Sequence, residues 1–306
     1  MNAPDWRLLG TPAGAAATPA DLPRDGWQPA VVPGTVAQAL DLPLDTDPRL
    51  DDRDWWYCTR LSLPDEGGPQ ALHFEGLATI AEVWVDGTLA ARSRNMFRPL
   101  TVPLPQAPAV DLAICFRALT PVLRAFPRRP RPRWQTNLVD EQNLRHVRTS
   151  LLGRIPGWTP PLPAVGPWRP VRLRPAGQLQ RTDLHLRTWA ESGRARLHIR
   201  VPAAGELRLA DTVHPLESGD NDVTLDAPIW WPRGMGPQSL VAAVVALADG
   251  RTVDLGRIGF RSLSFDGLQP VVNGVPVFCR GACWTVADVR AVDGSPQAIR
   301  STLQAA

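Results

Sequence analysis

The feature that most restricts the fold is an alternation of apolar and polar residues with a period of two, interrupted by tight-turn dipeptides. The segment "QALHFEGLATIAEVWVDGTLAARS" places Leu72 and Phe74, and then Val83 and Val85, on alternating positions. It then reaches Asp86-Gly87, a pair that supplies the positive φ angles of a two-residue hairpin turn. The pattern predicts a β-hairpin here and a chain built mostly of strands.

The alternation returns in the second half of the chain. "RARLHIRV" puts Leu197, Ile199 and Val201 on one face, and "SLVAAVVALADGRTVDLGRIGF" predicts a hairpin around Asp249-Gly250. Strands of this length over about 90 residues fit a sandwich of immunoglobulin size. The sequence therefore predicts an all-β protein.

The pattern changes again after residue 264. "LQPVVNGVPVFCRGACW" predicts a hairpin that turns on Asn273-Gly274. "SPQAIRSTLQAA" predicts a helix with Ser295 as its N-cap, Pro296 at its first position, and Ile299 and Leu303 four residues apart. No Gly or Asn cap follows, so we expect the remainder of a domain to be missing.

Charge excludes several classes of partner. The net charge of the 306 residues is only +3, and no stretch is long and apolar enough to span a membrane. The Arg- and Pro-rich segment 124–134 could be a phosphate-binding arm, but a solvated loop is the favoured interpretation. Because no signal peptide precedes the first strand, we predict a cytoplasmic protein that binds neither nucleic acid nor membranes.

Metal and cofactor sites are not predicted. The four cysteines form no C-x-x-C pair and are expected to be reduced thiols. The five histidines show no pair at metal-ligand spacing, and there is no Gly-rich phosphate loop or nucleophile elbow. We therefore expect no cofactor and no metal.

Seven motifs follow one another along residues 27–284: "WQPAVVPGTVAQAL", "DDRDWWYCTRLSLP", "LHFEGLATIAEVWVDG", "NMF", "GPWRPVRL", "IWWPRGMGPQSL" and "VNGVPVFCRGACW". In this order they resemble the N-terminal region of a glycoside hydrolase of family 2, and most closely its β-mannosidase-like members. The resemblance implies a galactose-binding-like jelly roll over residues 1–175 and an immunoglobulin-like sandwich over 176–264. Residues 265–306 would then begin a truncated (β/α)₈ barrel.

The resemblance also implies an activity, that of a retaining exo-β-glycosidase whose two catalytic glutamates lie at the ends of barrel strands. All seven glutamates of this chain precede residue 218, and none follows an asparagine as the family's acid/base does. No catalytic residue is assigned, and the chain is expected to be inactive alone. It would help to shape the sugar pocket of a barrel supplied in cis or in trans. A free-standing carbohydrate-binding module and an interaction scaffold are the alternatives.

Three substrate-binding residues are implied by the same resemblance. Asn95 of "NMF" would touch the sugar, although it could instead hold a turn. Trp158 in "PGWTPP" matches the first Trp of the family's "GWDWGP" segment and could stack on a pyranose, or else pack on the sandwich. The Asp that follows in relatives is replaced by Thr159, which leaves specificities other than mannoside open. Arg280 of "RGACW" would line the pocket floor.

Tryptophan pairs are interpreted as structural. In "DDRDWWYCTR", Trp55, Trp56 and Tyr57 are expected to supply buried area on a strand, with Asp54 satisfying nearby backbone donors. The "IWWP" segment, with Trp230 and Trp231, is expected to do the same for the second sandwich.

Overall fold

The computed structural model describes residues 5–64, 68–127 and 136–305. By packing, the chain divides into two compact units. The first unit contains residues up to Ala176 together with those from Trp284 onward, and the second contains Gly177–Cys283. Most of the basic segment predicted at 124–134 falls on residues 128–135, which lie outside the described residues.

Among its described residues, the first unit contains nine strands: β1 (Arg7–Pro12), β2 (Gln28–Pro29), β3 (Arg53–Ser62), β4 (Gln70–Phe74), β5 (Ala81–Val85), β6 (Thr88–Ser93), β7 (Leu100–Pro103), β8 (Ala109–Phe116) and β9 (Val171–Pro175). They form a six-stranded sheet in the order β2-β1-β3-β8-β5-β6 and a three-stranded sheet in the order β7-β4-β9. Neighbouring strands run antiparallel. The result is a β-sandwich.

Strand β3 shows how the sequence alternation produces two apolar layers. Trp55 and Tyr57 join a core cluster that also contains Phe74 of the opposite sheet. Trp56, which points the other way, joins a separate cluster with Trp84 on the outer face of the six-stranded sheet. All three aromatic residues of β3 are buried, so their predicted structural role is confirmed.

The hairpin between β5 and β6 is also confirmed. Asp86 and Gly87 have φ angles of 48° and 75°, which place both in the left-handed region that a two-residue hairpin turn requires. Val85 pairs with Thr88 across the turn. Val83 and Val85 face the core, as their spacing predicts.

Three α-helices are present among the described residues: α1 (Val36–Ala39), α2 (Leu119–Ala125) and α3 (Pro296–Ala305). In the predicted helix α3, the Ser295 hydroxyl oxygen accepts a hydrogen bond from the backbone N–H of Ala298 at 3.1 Å, as expected for an N-cap. None of the described helices combines the length and the apolar character needed to cross a lipid bilayer.

The segment from residue 284 onward returns to the first unit. The Thr35 hydroxyl donates to the carbonyl oxygen of Arg290. The Arg290 side chain donates in turn from Nε to the carbonyl oxygen of Leu42 at 2.6 Å. Val292 is buried in a small cluster with Met96. This part of the chain is therefore anchored by both hydrogen bonds and apolar contact.

Ten strands build the second unit: β10 (Arg187–Glu191), β11 (Arg194–Val201), β12 (Gly205–Leu209), β13 (Thr212–Leu216), β14 (Gly219–Leu225), β15 (Val241–Leu247), β16 (Thr252–Ile258), β17 (Leu263–Asp266), β18 (Gln269–Val272) and β19 (Val275–Pro276). The sheets β10-β11-β14 and β13-β12-β15-β16 share one core. A small sheet, β17-β18-β19, follows.

The predicted periodicity of the second unit is confirmed. Leu197, Ile199 and Val201 are buried on one face of β11. Asp249-Gly250 and Asn273-Gly274 both connect antiparallel neighbours, β15 to β16 and β18 to β19. These turns fix which side chains face the core.

The burial of Trp230 and Trp231 differs from the prediction. Both are half-buried, and neither belongs to the core cluster of the second unit. They lie outside the strands, where an alternating burial pattern does not apply. The Arg261 guanidinium lies 5.0 Å from the centre of the Trp230 ring, so a charged side chain covers part of this surface.

Candidate functional site

Asn95 lies in the short connection between β6 and β7. Its Oδ1 accepts a hydrogen bond from the backbone N–H of Phe97 at 3.0 Å, so the side chain holds the turn. Its Nδ2 makes no hydrogen bond with any residue that the structure describes. The amide is half-buried, and one end of it remains able to donate to a ligand.

Met96, the next residue, joins this connection to the long loop before β9. It is fully buried, and its sulfur accepts a hydrogen bond from the backbone N–H of Ser150 at 2.9 Å. The Met96 N–H donates to the carbonyl oxygen of Arg148 at 3.0 Å. Its carbonyl oxygen accepts from Trp168 Nε1 at 3.0 Å. The loop that carries Asn95 is therefore fixed directly to residues 148–168.

Trp158 lies on that second loop, and 65% of its surface is exposed. Its backbone N–H donates to the Ile155 carbonyl oxygen at 3.3 Å, which closes a turn. Thr159, where relatives are expected to have an aspartate, accepts from the Gly153 N–H at 2.9 Å. The indole ring is thus accessible for stacking and is not packed into the sandwich.

An ion pair fixes the base of the loop. Arg154 Nε and Nη2 donate to the two carboxylate oxygens of Asp51 at 2.7 and 2.8 Å. The Arg154 side chain is only 6% exposed, and it also donates to the Ser150 carbonyl oxygen at 2.8 Å. Because the pair is bidentate and shielded from water, the loop is held in one geometry.

Arg280 belongs to the second unit, whereas Asn95 and Trp158 belong to the first. Its side chain is exposed and has no hydrogen bond or ion pair with the described residues. Asp288, a further residue near the family's last motif, caps its own loop by accepting from the Arg290 N–H at 2.9 Å. Hence two of the three predicted binding residues, Asn95 and Trp158, lie on loops that are hydrogen-bonded to each other.

The sequence did not indicate a charged network that forms around Arg117 in the first unit. Arg117 donates from Nη1 to Asp54 Oδ2 at 2.8 Å and from Nη2 to Glu82 Oε2 at 2.7 Å. It also donates to the carbonyl oxygens of Ala16 and Ala17. These carboxylates come from distant strands, so no local spacing could have revealed them.

This network is structural. Burial alone would lower the pKa of Arg117, but its hydrogen bonds to Asp54 and Glu82 outweigh that effect and raise the pKa. Asp54 also accepts from the backbone N–H groups of Ala118 and Gly14, which confirms its predicted role. Both carboxylates are thus held by the same guanidinium.

The two cysteines of the first unit are held in the thiol form by burial. Burial raises the pKa of the Cys58 thiol to about 12 and also raises that of Cys115, which keeps both thiols protonated at neutral pH. Across residues 5–64, 68–127 and 136–305, no group of three or more His, Cys, Asp or Glu side chains is arranged to hold a metal ion.

Comparison with known proteins accounts for this architecture. A family profile described as "Glycosyl hydrolase 2 galactose-binding domain-like" matches residues 15–169. Among curated proteins, "Beta-mannosidase B" of Thermothelomyces thermophilus is 28% identical over 279 residues, covering 78% of this chain and 32% of that protein. The chain therefore spans about a third of that relative's length.

Solved structures show the same fold. A β-D-mannosidase from Dictyoglomus thermophilum matches with a TM-score of 0.74 at 19% identity, covering 98% of this chain and 42% of that one. A β-glucuronidase from Faecalibacterium prausnitzii matches with a TM-score of 0.65 at 18% identity, covering 98% and 52%. The expected all-β architecture, a jelly-roll sandwich followed by an immunoglobulin-like sandwich, is confirmed. On the profile match over half of its length, the chain belongs to glycoside hydrolase family 2 and carries its galactose-binding-like domain.

Proposed function

We propose that this chain is the N-terminal, non-catalytic part of a β-mannosidase-like family 2 glycosidase, and that it helps to shape the sugar pocket of the complete enzyme. One observation carries the proposal: Met96 and Arg148 join the Asn95 loop to the loop that exposes Trp158. An amide donor and an aromatic face on connected, immobilised loops suit a pyranose, which offers hydroxyl groups and an apolar C–H face.

The catalytic groups would come from further polypeptide. Retaining hydrolysis needs two carboxyl groups about 5–5.5 Å apart, one of them free to give up a proton. The buried Asp54 and the half-buried Glu82 are both bound to Arg117. We therefore propose that a (β/α)₈ barrel, beginning within residues 265–306 and completed in cis or in trans, supplies the chemistry. The cytoplasmic location also stays a prediction.

The first test is activity. The purified chain should release no nitrophenol from p-nitrophenyl β-mannopyranoside. Turnover that co-purifies with this chain through several columns, and that is lost on mutation of its own carboxylates, would contradict the proposal.

The second test examines the proposed contacts in the complete enzyme, with the catalytic portion supplied by co-expression. Asn95→Ala and Trp158→Ala should each lower kcat/KM at least about tenfold, since each removes one substrate contact. Val213→Ala is the control, because Val213 is 58% exposed and lies on β13 of the second unit, outside the residues proposed to begin the barrel. Equal effects of Trp158→Ala and Val213→Ala would refute the role of Trp158.

A second candidate function, a free-standing carbohydrate-binding module, is favoured by the exposure of Trp158 in the chain by itself. It predicts saccharide binding that requires Trp158 and Asn95 without any added polypeptide. Calorimetry with mannose, galactose and their β-linked oligosaccharides distinguishes it from the first proposal.

A third candidate, an interaction scaffold, is favoured by the exposed apolar side chains of the small sheet, which include Phe265, Leu268 and Phe278. It predicts a mass that rises with protein concentration in light scattering. A constant monomer mass would exclude it.

A further inference from the structure

A cleft of about 580 Å³ opens in the first unit, on the outer face of the six-stranded sheet where Trp84 lies. Side chains of β3, β5 and β6 line it, together with parts of segments 13–17 and 117–122. Neither Asn95 nor Trp158 is among its lining residues. The cleft is therefore distinct from the proposed sugar contacts, and its volume is within the range of small-ligand sites.

The carboxylates of the cleft are already bound by guanidinium groups. Arg117 uses all of its N–H groups within the protein: Nε and Nη2 donate to Glu82, Nη1 donates to Asp54, and both Nη groups also donate to backbone carbonyl oxygens. Arg92 Nε donates to Glu82 Oε1 at 3.1 Å. Arg117 therefore has no donor left for a ligand, and the hydrogen bonds of the two carboxylates are made largely inside the cluster.

Two other groups that line the cleft have donors unused by the described residues. Trp84 is only 8% exposed, and its Nε1 is buried without a hydrogen-bond partner among them. The two Nη groups of Arg92 likewise make no hydrogen bond with a described residue, and 65% of this side chain is exposed. A buried N–H that lacks an acceptor costs free energy, which a ligand oxygen would recover. The cleft therefore offers donors to an acceptor.

Much of the remaining lining is apolar. It includes Ala13, Ala17, Pro121 and Val122, in addition to the Trp84 side chain. A pocket of apolar surface with a few placed polar groups is typical of small-molecule sites, where the polar groups orient the ligand. The ligand that fits this lining has an apolar body and an oxygen that accepts hydrogen bonds.

We propose that this cleft binds small carbonyl compounds with an apolar body, the carbonyl oxygen accepting from Trp84 Nε1 and from Arg92. A carbonyl oxygen is favoured over a hydroxyl group because it only accepts, and the unused groups of the lining only donate. The proposal is independent of the proposed function, since it uses neither the Asn95 and Trp158 loops nor a catalytic barrel. It assigns a ligand site to the outer face of the sandwich.

The first test is a titration of the isotope-labelled full chain with benzamide, followed by NMR through the indole N–H signals. Trp84→Phe and Trp27→Phe assign two of these signals by removing them. We expect the Trp84 signal to shift with a Kd in the millimolar range. The Trp27 signal should stay in place, because Trp27 does not line the cleft and its Nε1 already donates to the Pro23 carbonyl oxygen. Benzylamine, which has the same ring but no acceptor, should shift neither signal.

The second test measures benzamide binding by calorimetry in cleft variants. Trp84→Phe keeps an aromatic ring and removes the indole donor, and Arg92→Met keeps an apolar stem and removes the Nη donors. Each should weaken binding about tenfold or more. Trp27→Phe and Arg60→Met are the matched controls and should leave binding unchanged. Arg60, like Arg92, is an exposed arginine paired with a carboxylate, but it does not line the cleft.

Three results would overturn the proposal: no shift of the Trp84 signal with benzamide at tens of millimolar, binding that both cleft variants leave unchanged, or benzylamine binding as well as benzamide. Arg92 is exposed, so Arg92→Met is expected to fold, and circular dichroism checks both cleft variants. Failure here leaves the proposed function intact, because that function is tested by kcat/KM of Asn95 and Trp158 variants in the complete enzyme.

Discussion

Removal of the Arg117 guanidinium should destabilise the first unit more than removal of any exposed arginine. The Asp54 side chain is 2% exposed and that of Glu82 is 14% exposed, and Arg117 is the cation that contacts both. Arg117→Ala would leave Asp54 as an uncompensated buried charge. Breaking a buried pair in this way costs about 3–5 kcal/mol, whereas an exposed pair contributes about 0–1 kcal/mol.

The assay is urea unfolding followed by tryptophan fluorescence, since Trp56 lies against Arg117, with the guanidinium 5.2 Å from its ring centre. Arg60→Ala is the matched control. Arg60 pairs with Asp111 at 2.9 Å, but both side chains are about two-thirds exposed. We expect the transition of the first unit to lose about 3–5 kcal/mol in Arg117→Ala and under about 1 kcal/mol in Arg60→Ala.

A double variant separates loss of charge from loss of packing. Arg117→Ala combined with Asp54→Asn removes the orphaned charge and should recover part of the lost stability. The recovery is partial because Asp54 also accepts from the backbone N–H groups of Ala118 and Gly14. Equal losses in Arg117→Ala and Arg60→Ala, or no recovery in the double variant, would refute the reasoning.

Four further predictions follow from burial and ion pairing. Asp51→Asn should increase chymotryptic cleavage at Trp158 about tenfold, measured by mass spectrometry against Asp52→Asn, because Asp51 accepts both hydrogen bonds of the bidentate pair with Arg154; unchanged cleavage would contradict this. Trp56→Ala should cost about 3–5 kcal/mol in urea unfolding and Trp158→Ala under about 0.5 kcal/mol, since only Trp56 is buried; similar losses would contradict the assignment. Native protein should react with a thiol reagent quickly at the exposed Cys279 and Cys283 and slowly at Cys58 and Cys115. Because the folded-state pKa of Cys58 is raised from 9.0 to about 12, its contribution to stability is complete below pH 9.0 and is lost as the pH rises towards 12. Cys58→Ala should therefore flatten the fall in the free energy of unfolding over that range. An unchanged profile would show that Cys58 is not responsible for the fall.

Short sequence patterns predicted the turns and the strand faces, because these depend only on residues that are close in sequence. The Asp-Gly and Asn-Gly turns require positive φ, and strand alternation assigns Trp55 and Tyr57 to one face, so both could be found from neighbouring residues. The Arg117 network could not be found, because Asp54 and Glu82 meet only after β3, β8 and β5 have paired.

The candidate site shows the same division. The family motif predicted Asn95 as a binding residue. The loop is fixed by its neighbour Met96, whose sulfur accepts a hydrogen bond from the Ser150 N–H, and no spacing in the sequence predicts that contact. Trp230 and Trp231 were expected in a core because aromatic pairs usually lie on strands. These two lie outside the strands, where composition does not determine burial.

The contact between Thr35 and Arg290 spans 255 positions of sequence. During synthesis on a ribosome, the first unit could therefore not be completed until residues 284–292 had been translated, whereas the second unit, which is continuous in sequence, could fold earlier. Nascent chains stalled before residue 284 should accordingly leave the apolar contacts of Val292 exposed to chaperones, and released chains of 306 residues should not.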